Sequence, residues 1–456
     1  MGSLKLLVLT YRYAPALHPR AFRWSSIAEY WACKGHRVDV VTVRTPGVPR
    51  EGERNGVQVH RVGGAILERL KHRLGREAAS PASPGRETLR GGGGAGPASG
   101  LASVAHWMSD RTWKKVRWPD YAATWYFPAV KAARRLLATG GYDGFLSVSD
   151  PFTAHMAGLR LKKDFGTLRW IADIGDPFCF QDVTPVNNPS LYKRLNFRAE
   201  QNVFSLADTV AVTNRPTFEK YAALFPRAAS KIRVIPPLLS IEDRGPGRDR
   251  VFPEDAGIRL VFIGTLYRAV RSPEYLLRLF EGLLKTNLGD RLSLHFVGNI
   301  NDCREFFLPY AGMLGRKIFL HGMVDRPTVF RAMSEASCLV HIGNATAYQL
   351  PSKVVEYAGS GKPVINLVQS ADDCSAEFFG AYPASLRLME NEGPPARETI
   401  DKLARFIQRA QGVAPESLAD FLSAYRVEAI ASAYEEIFSV PPGRGAPRAI
   451  EEEPSR

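Results

Sequence analysis

The strongest constraint on this chain is an alternation. An apolar run at 4–10 leads through Tyr11-Arg12-Tyr13-Ala14-Pro15 to a helical pattern over 23–34 that stops at Gly35, and a β-branched run follows at 37–43. Strand, loop, helix, glycine, strand is the grammar of a parallel sheet, because parallel neighbours need a long crossover between them. It continues with strands expected at 57–62, 144–148, 168–174, 209–213 and 232–235, and helices at 129–137, 153–161 and 191–206. After a charged, Gly/Pro-rich linker at 243–249 it starts afresh. Strands are expected at 259–263, 292–297, 317–320, 337–342 and 363–368, with helices at 273–285, 304–313, 326–336 and 353–359. The pattern predicts an α/β chain of two Rossmann-like parallel-sheet domains, residues 1–240 and 241–414, facing across a cleft. Residues 415–438 read as one or two amphipathic helices and 439–456 as a disordered tail.

A chain of 456 residues, 45% hydrophobic and 23% charged, has enough apolar surface for two cores, which excludes wholesale disorder. Residues 75–100 are the exception: rich in Ala, Ser, Pro and Gly, they read as a flexible surface insertion, or else a lid or acceptor loop. The aromatic-basic stretch after it (Trp107, Trp113, Lys114, Lys115, Arg117, Trp118, Tyr121, Trp125, Tyr126, Phe127) has two readings, subdomain packing or an acceptor or membrane-edge surface. The 5 cysteines are scattered and odd in number, which argues against a disulfide framework and a zinc site. The formal charge of +14 favours anionic partners. With no leader and no apolar run of spanning length, the expectation is a cytoplasmic protein, with room for peripheral contact at the inner membrane face.

Open α/β sheets take ligands beyond the carboxyl ends of their strands. In the first half those ends carry Ser147, Ser149 and Asp150, then Asp173, Gly175 and Asp176, then Asn214 and Arg215. Each aspartate is either an acceptor-orienting group or a structural cap. The first loop contributes His18 and Arg20. In the second half, Gly264 turns the chain after an apolar strand, and Arg268 and Arg271 follow. An arginine fork suits a diphosphate, and a solvated basic turn is the alternative reading. The sharper element is the run from Leu350 to Ile365, where Pro351, Ser352 and Lys353 open a helix, Glu356 lies a turn further on, and Gly359 and Gly361 allow a tight exit. No close acidic triplet suggests a metal.

That run resembles the nucleotide-sugar signature of the GT-B glycosyltransferases, in particular the large retaining family 4. The opening, with Tyr13-Ala14-Pro15, Gly35-His36-Arg37-Val38 and Thr42, is similar to the same family's N-terminal region. The resemblance implies a nucleotide-sugar donor held by the C-terminal domain, an acceptor held by the N-terminal domain, and no cofactor. It implies that Glu356 holds the ribose and that Arg268 or Arg271 holds the diphosphate, with Lys353 and the backbone near Ser352 assisting. The retained configuration, with the leaving phosphate assisting proton transfer, also comes from the resemblance.

The chain departs from the family in places. Where the family has its first glutamate, eight residues before the second, stands Tyr348, with Gln349 beside it. The glycine-rich first loop is replaced by Ala14-Pro15-Ala16-Leu17-His18-Pro19-Arg20. The family's histidine before an aspartate is matched here by Gly175 before Asp176. The expected activity is transfer of a sugar to a glycan, lipid-linked or small-molecule acceptor, in synthesis of a surface polysaccharide or another glycoconjugate. An epimerase or phosphorylase of related architecture fits the signature less well. An inactive homologue that binds glycans or regulates a partner is the alternative. A nucleic-acid partner is not expected, because the positive residues form no reader motif.

Overall fold

The computed structural model describes residues 2–64, 117–181, 185–239, 250–253, 257–351 and 353–439. The expected insertion at 75–100, the linker at 243–249, the tail beyond 439, Trp107, Trp113, Lys114, Lys115 and Ser352 lie outside the described residues. The chain divides into two compact units, one of residues 1–212, 222–233 and 434–456, the other of 213–221 and 234–433.

The first unit is built on β1 (Lys5–Thr10), α1 (Pro19–Cys33), β2 (Arg37–Val43), β3 (Glu51–Arg54), β4 (Val57–Val62), α2 (Tyr126–Leu137), β5 (Gly144–Val148), α3 (Thr153–Asp164), β6 (Arg169–Asp173), α4 (Pro189–Leu206), β7 (Thr209–Val212) and β8 (Ile232–Val234), while α5 (Arg215–Leu224), between β7 and β8, belongs to the second unit up to Tyr221. Its sheet runs β3-β4-β2-β1-β5-β6-β7-β8. Leu6 to Leu9 of the central strand have no exposed surface, as expected where crossover helices cover both faces of a parallel sheet. Helix α1 starts earlier than its periodicity suggests, because Pro19 opens it and the His18 ring accepts from the backbone N–H of Arg20 at 3.2 Å. Strand β3 is absent from the apolar pattern because all its residues are exposed. The signal for it is the turn Asn55-Gly56, both at positive φ (48° and 81°), which returns the chain antiparallel onto β4.

The second unit contains β9 (Ile258–Ile263), α6 (Glu274–Leu284), β10 (Leu292–Val297), β11 (Ile318–Gly322), α7 (Arg326–Glu335), β12 (Cys338–Ile342), α8 (Lys353–Gly359), β13 (Val364–Val368), α9 (Cys374–Gly380), β14 (Ser385–Met389), α10 (Arg397–Arg409), α11 (Pro415–Phe421) and α12 (Val427–Ser439), the last of which passes into the first unit at Tyr434. Every strand pairing in its sheet, β11-β10-β9-β12-β13-β14, is parallel. The helix expected at 304–313 is instead a 3-10 segment, Asn301–Met313, with Pro309 inside it removing a backbone donor.

Among the described residues no helix is long and apolar enough to cross a membrane. None of the 5 cysteines, all of them among the described residues, is in a disulfide.

Candidate active site

Both sheets reverse their strand order beside the first strand of the unit: between β9 and β12 in the second, between β1 and β5 in the first. The crevice at such a reversal is where open α/β sheets bind ligands. The polar residues singled out in the sequence gather at these two places.

In the second unit, β9 ends at Gly264 (φ 153°) and β10 at Gly298 (φ 134°). A Cβ at Gly298 would lie 2.0 Å from the Gly264 carbonyl oxygen, so these ends approach closely only because Gly298 has no side chain. The chain after Gly264 folds into a tight hairpin, in which the Arg271 N–H donates to the Tyr267 carbonyl at 2.8 Å. This turn separates the two arginines. Arg268 points outward, half exposed, and is ion-paired with Glu305. Arg271 turns inward to the switch point, donating from Nη2 to Asn344 Oδ1 at 2.7 Å, while its Nε is buried without a partner.

Asn344 follows β12 and donates to the Gln349 carbonyl at 3.1 Å, and the Gln349 side chain accepts from Thr346 at 3.2 Å. Tyr348 is buried at 8% exposure. Its carbonyl accepts from Asn214 at 3.1 Å and Thr217 at 2.6 Å, and its ring lies 4.4 Å from the Lys220 ammonium. Tyr348 is thus an aromatic packing position in this chain.

Glu356, 8% exposed, sits between two cations: Lys353, its neighbour on α8, and Arg326, the first residue of α7, at 3.4 Å. Sequence reasoning missed Arg326 and Asn344, because neither lies at a motif spacing from Glu356 or Arg271. Gly361 leaves α8 at φ 69°, the tight exit expected of it.

In the first unit, Asp173 ends β6 at 2% exposure with both carboxylate oxygens committed. Arg20 donates to one at 3.0 Å, and the Tyr434 hydroxyl donates to the other. The Arg20 guanidinium lies against Gly175, where a Cβ would fall 1.6 Å from Nη2. The residue before Asp176 is therefore glycine because Arg20 fills the space a side chain would need. Asp176 itself is exposed.

Asp150 follows β5, at the other side of the switch point. It accepts from the Tyr121 hydroxyl at 3.2 Å, and Tyr121 accepts from Arg12 Nη2 at 2.9 Å. Burial, followed by the charges of Asp120 and Asp176, pushes the Asp150 carboxyl up to about 6, against the pull of Arg12. His18 moves the other way, down to about 3, through burial and then the nearby Arg12 and Arg20, so its ring is neutral at physiological pH. Arg12 and Tyr121 are also residues that motif spacing does not reveal. Among the described residues no group of three His, Cys, Asp or Glu side chains could hold a metal ion.

No protein-family model matches the sequence, and no curated protein matches it. Solved structures do. The chain is similar over 96% of its length to α,α-trehalose 6-phosphate synthase from Burkholderia multivorans, covering 98% of that chain with a TM-score of 0.58 at 12% identity. The catalytic domain of starch synthase IV from Arabidopsis thaliana, bound to ADP and acarbose, gives the same TM-score of 0.58 at 10% identity, with 96% of this chain and 99% of that one covered. HepE from Anabaena, in complex with UDP-glucose, gives 0.54 at 13% identity, with 96% and 99% covered. At such identities the likeness speaks for fold: this chain has the α/β architecture of the GT-B glycosyltransferases, with two parallel-sheet units.

Proposed function

We propose that the chain is a glycosyltransferase that moves a sugar from a nucleotide-sugar donor to an acceptor, with retention of configuration, in the manner of family 4. The donor belongs to the second unit and the acceptor, a glycan, a lipid-linked saccharide or a small molecule, to the first.

The observation that carries this reading is the polar set at the second unit's switch point. Arg271 has a buried N–H without an acceptor, and Glu356 is a buried carboxylate flanked by Lys353 and Arg326. A nucleoside diphosphate satisfies both. Its phosphate oxygens supply the acceptor Arg271 lacks, and its ribose diol donates to Glu356. As the sugar departs, negative charge grows on the diphosphate, and a guanidinium already oriented by Asn344 stabilises that charge without reorganising. Gly264 and Gly298 keep the strand ends free of side chains, so backbone can approach the phosphates. In the first unit the reading gives Asp150, at the end of β5, and the exposed Asp176 the task of orienting an acceptor hydroxyl; Asp173 is committed to Arg20 and Tyr434. Contact with the membrane's inner face and a role in surface-polysaccharide synthesis are extensions of this reading.

The test is calorimetric titration of UDP-, GDP-, ADP- and dTDP-sugars and the free diphosphates. One base should bind selectively, and Glu356→Ala should weaken it roughly ten- to a hundredfold, the loss of hydrogen bonds to a charged group worth about 1.5–3 kcal/mol. A folded protein that binds none of them is not a transferase.

A further inference from the structure

Helix α4 of the first unit changes character along its length. From Phe197 onward it packs as a core-facing helix should. Ala199 and Val203 are buried, the rings of Phe197 and Phe204 lie 5.4 and 4.8 Å from that of Phe225, and the buried Glu200 carboxylate accepts the backbone N–H groups of Phe178 and Cys179. Before Phe197 the pattern is inverted. An amide, Asn196 at 5% exposure, takes the inward position, while Leu191 and Leu195 stand out at 57% and 46%.

Hydrogen bonds hold this inversion in place. Asn196 and Asn187 exchange two amide hydrogen bonds at 2.9 Å, Asn196 accepts from the Trp118 indole at 3.1 Å, and Asn187 donates to the Pro119 carbonyl at 2.7 Å. Rotating the helix to bring the leucines inward would break these buried bonds and leave their groups without partners. The segment gripped in this way continues into Tyr121, whose hydroxyl donates to Asp150.

The leucines share their face with cations. Residues three and four apart on a helix are neighbours, so Leu191, Arg194, Leu195 and Arg198 form one continuous patch, with Lys193 at its flank. Both arginines and the lysine are exposed, and among the described residues none of the three pairs with a carboxylate. From Pro189 to Ala199 the helix carries no acid at all.

Leucines exposed on a single helix make a ridge, which suits a soft surface better than a protein pocket. Leucines inserted at the boundary of headgroups and acyl chains, with arginine stems beside them and guanidinium groups at the lipid phosphates, are the composition of an interfacial helix. Charge sets the sign of the surface: three cations without acids call for an anionic one.

We propose that the N-terminal half of α4 docks the protein on an anionic lipid bilayer, with Leu191 and Leu195 inserted and Lys193, Arg194 and Arg198 against the headgroups. The surface is argued from α4 alone and stands whether or not the chain is a transferase. Joined to that reading, it selects the lipid-linked saccharide among the acceptors.

The test is co-sedimentation of the full chain, without nucleotide, with phosphatidylcholine vesicles that contain or lack phosphatidylserine. The anionic vesicles should bind about tenfold or more tightly, and high salt should remove most of that preference. Arg194→Gln and Arg198→Gln should each lower the affinity roughly fivefold. The double variant Leu191→Ser/Leu195→Ser should lower it about tenfold at either salt. Urea midpoints of these variants should match that of the wild type, since all four side chains face solvent. Lys34→Gln/Lys131→Gln, which removes two exposed cations elsewhere on the first unit, should leave binding within about twofold. The proposal is overturned if the wild type shows no preference for anionic vesicles, or if the lysine variant loses as much as the arginine variants, which would make binding a matter of overall charge. It is equally overturned if Leu191→Ser/Leu195→Ser binds as the wild type does. A chain that sediments as a dimer and becomes monomeric in that leucine variant would also sink it, because a second copy would then cover the face.

Discussion

At the scale of single residues, chemistry here depends on which neighbour fills which space. Gly175 illustrates this. A Cβ at this position would fall 1.6 Å from Arg20 Nη2 and 2.2 Å from Cζ, so the arginine must leave before any side chain can enter. Gly175→Ala should cost about 1–3 kcal/mol, the range for overpacking a filled site. In an Arg20→Ala background the same change should cost almost nothing. Urea midpoints of the four proteins in this cycle measure the coupling, and equal costs in both backgrounds would show that the guanidinium is not the obstacle. The sequence nominated Arg20, Gly175 and Asp173 separately, but nothing in their spacing says that one fills the place of another. The two arginines after Gly264 carry the same lesson: a hairpin of a few residues sends Arg268 to Glu305 at the surface and Arg271 to Asn344.

At the scale of elements, the terminal helix shows what amphipathicity leaves open. The pattern over 415–438 marks an apolar face, and the structure divides the segment into Pro415–Phe421 and Val427–Ser439. The partners of that face come from distant parts of the chain. The Tyr434 ring lies 5.2 Å from that of Trp24 and 6.2 Å from that of Trp31, and its hydroxyl donates to Asp173 while accepting from Arg23 at 3.3 Å. Tyr434→Phe keeps the ring and removes the oxygen, leaving a buried carboxylate one donor short and a buried guanidinium one acceptor short. The expected loss is about 1–3 kcal/mol, read as a lowered midpoint in thermal or urea unfolding. An unchanged midpoint would mean that water replaces the hydroxyl.

At the scale of the whole molecule, both units carry the same device, a parallel sheet whose order reverses beside its first strand, and each also holds ionisable groups away from water. In the second unit, burial and then the charge of Asp373 push the Glu390 carboxyl up to about 7, and its Oε1 has no partner. A carboxyl raised in the folded state is favoured there in its protonated form. Its contribution is therefore complete below about pH 4.5, the ordinary value, and is lost as pH climbs through about 7. Glu390→Gln keeps the neutral shape, so its stability relative to wild type should grow by on the order of 2–3 kcal/mol between pH 5 and 9. Parallel pH dependences of the urea midpoint for the two proteins would refute this. The buried His155 and His341, each pushed down to about 3 chiefly by burial, act in the opposite direction: stability is lost as pH falls below the ordinary histidine range. They are common to both proteins and cancel in the comparison.

The alternation of apolar runs, helical patterns and glycines determined the α/β class and the position of nearly every central strand, because burial on both faces writes itself locally as continuous β-branched sequence. The exposed β3 and the edge strand β14 escaped that signal, having little burial to record. Gly264, Arg271, Glu356, Asp150 and Arg20 were also legible, since a strand end in an open parallel sheet is a place where ligands meet polar side chains. The tertiary structure alone decided which of two nearby arginines turns inward and which aspartate is consumed by Arg20 and Tyr434. It alone brought Arg326 to Glu356 and Arg12, through Tyr121, to Asp150. These pairings join residues far apart in the chain, and sequence periodicity records which face of an element is buried but not what lies against it.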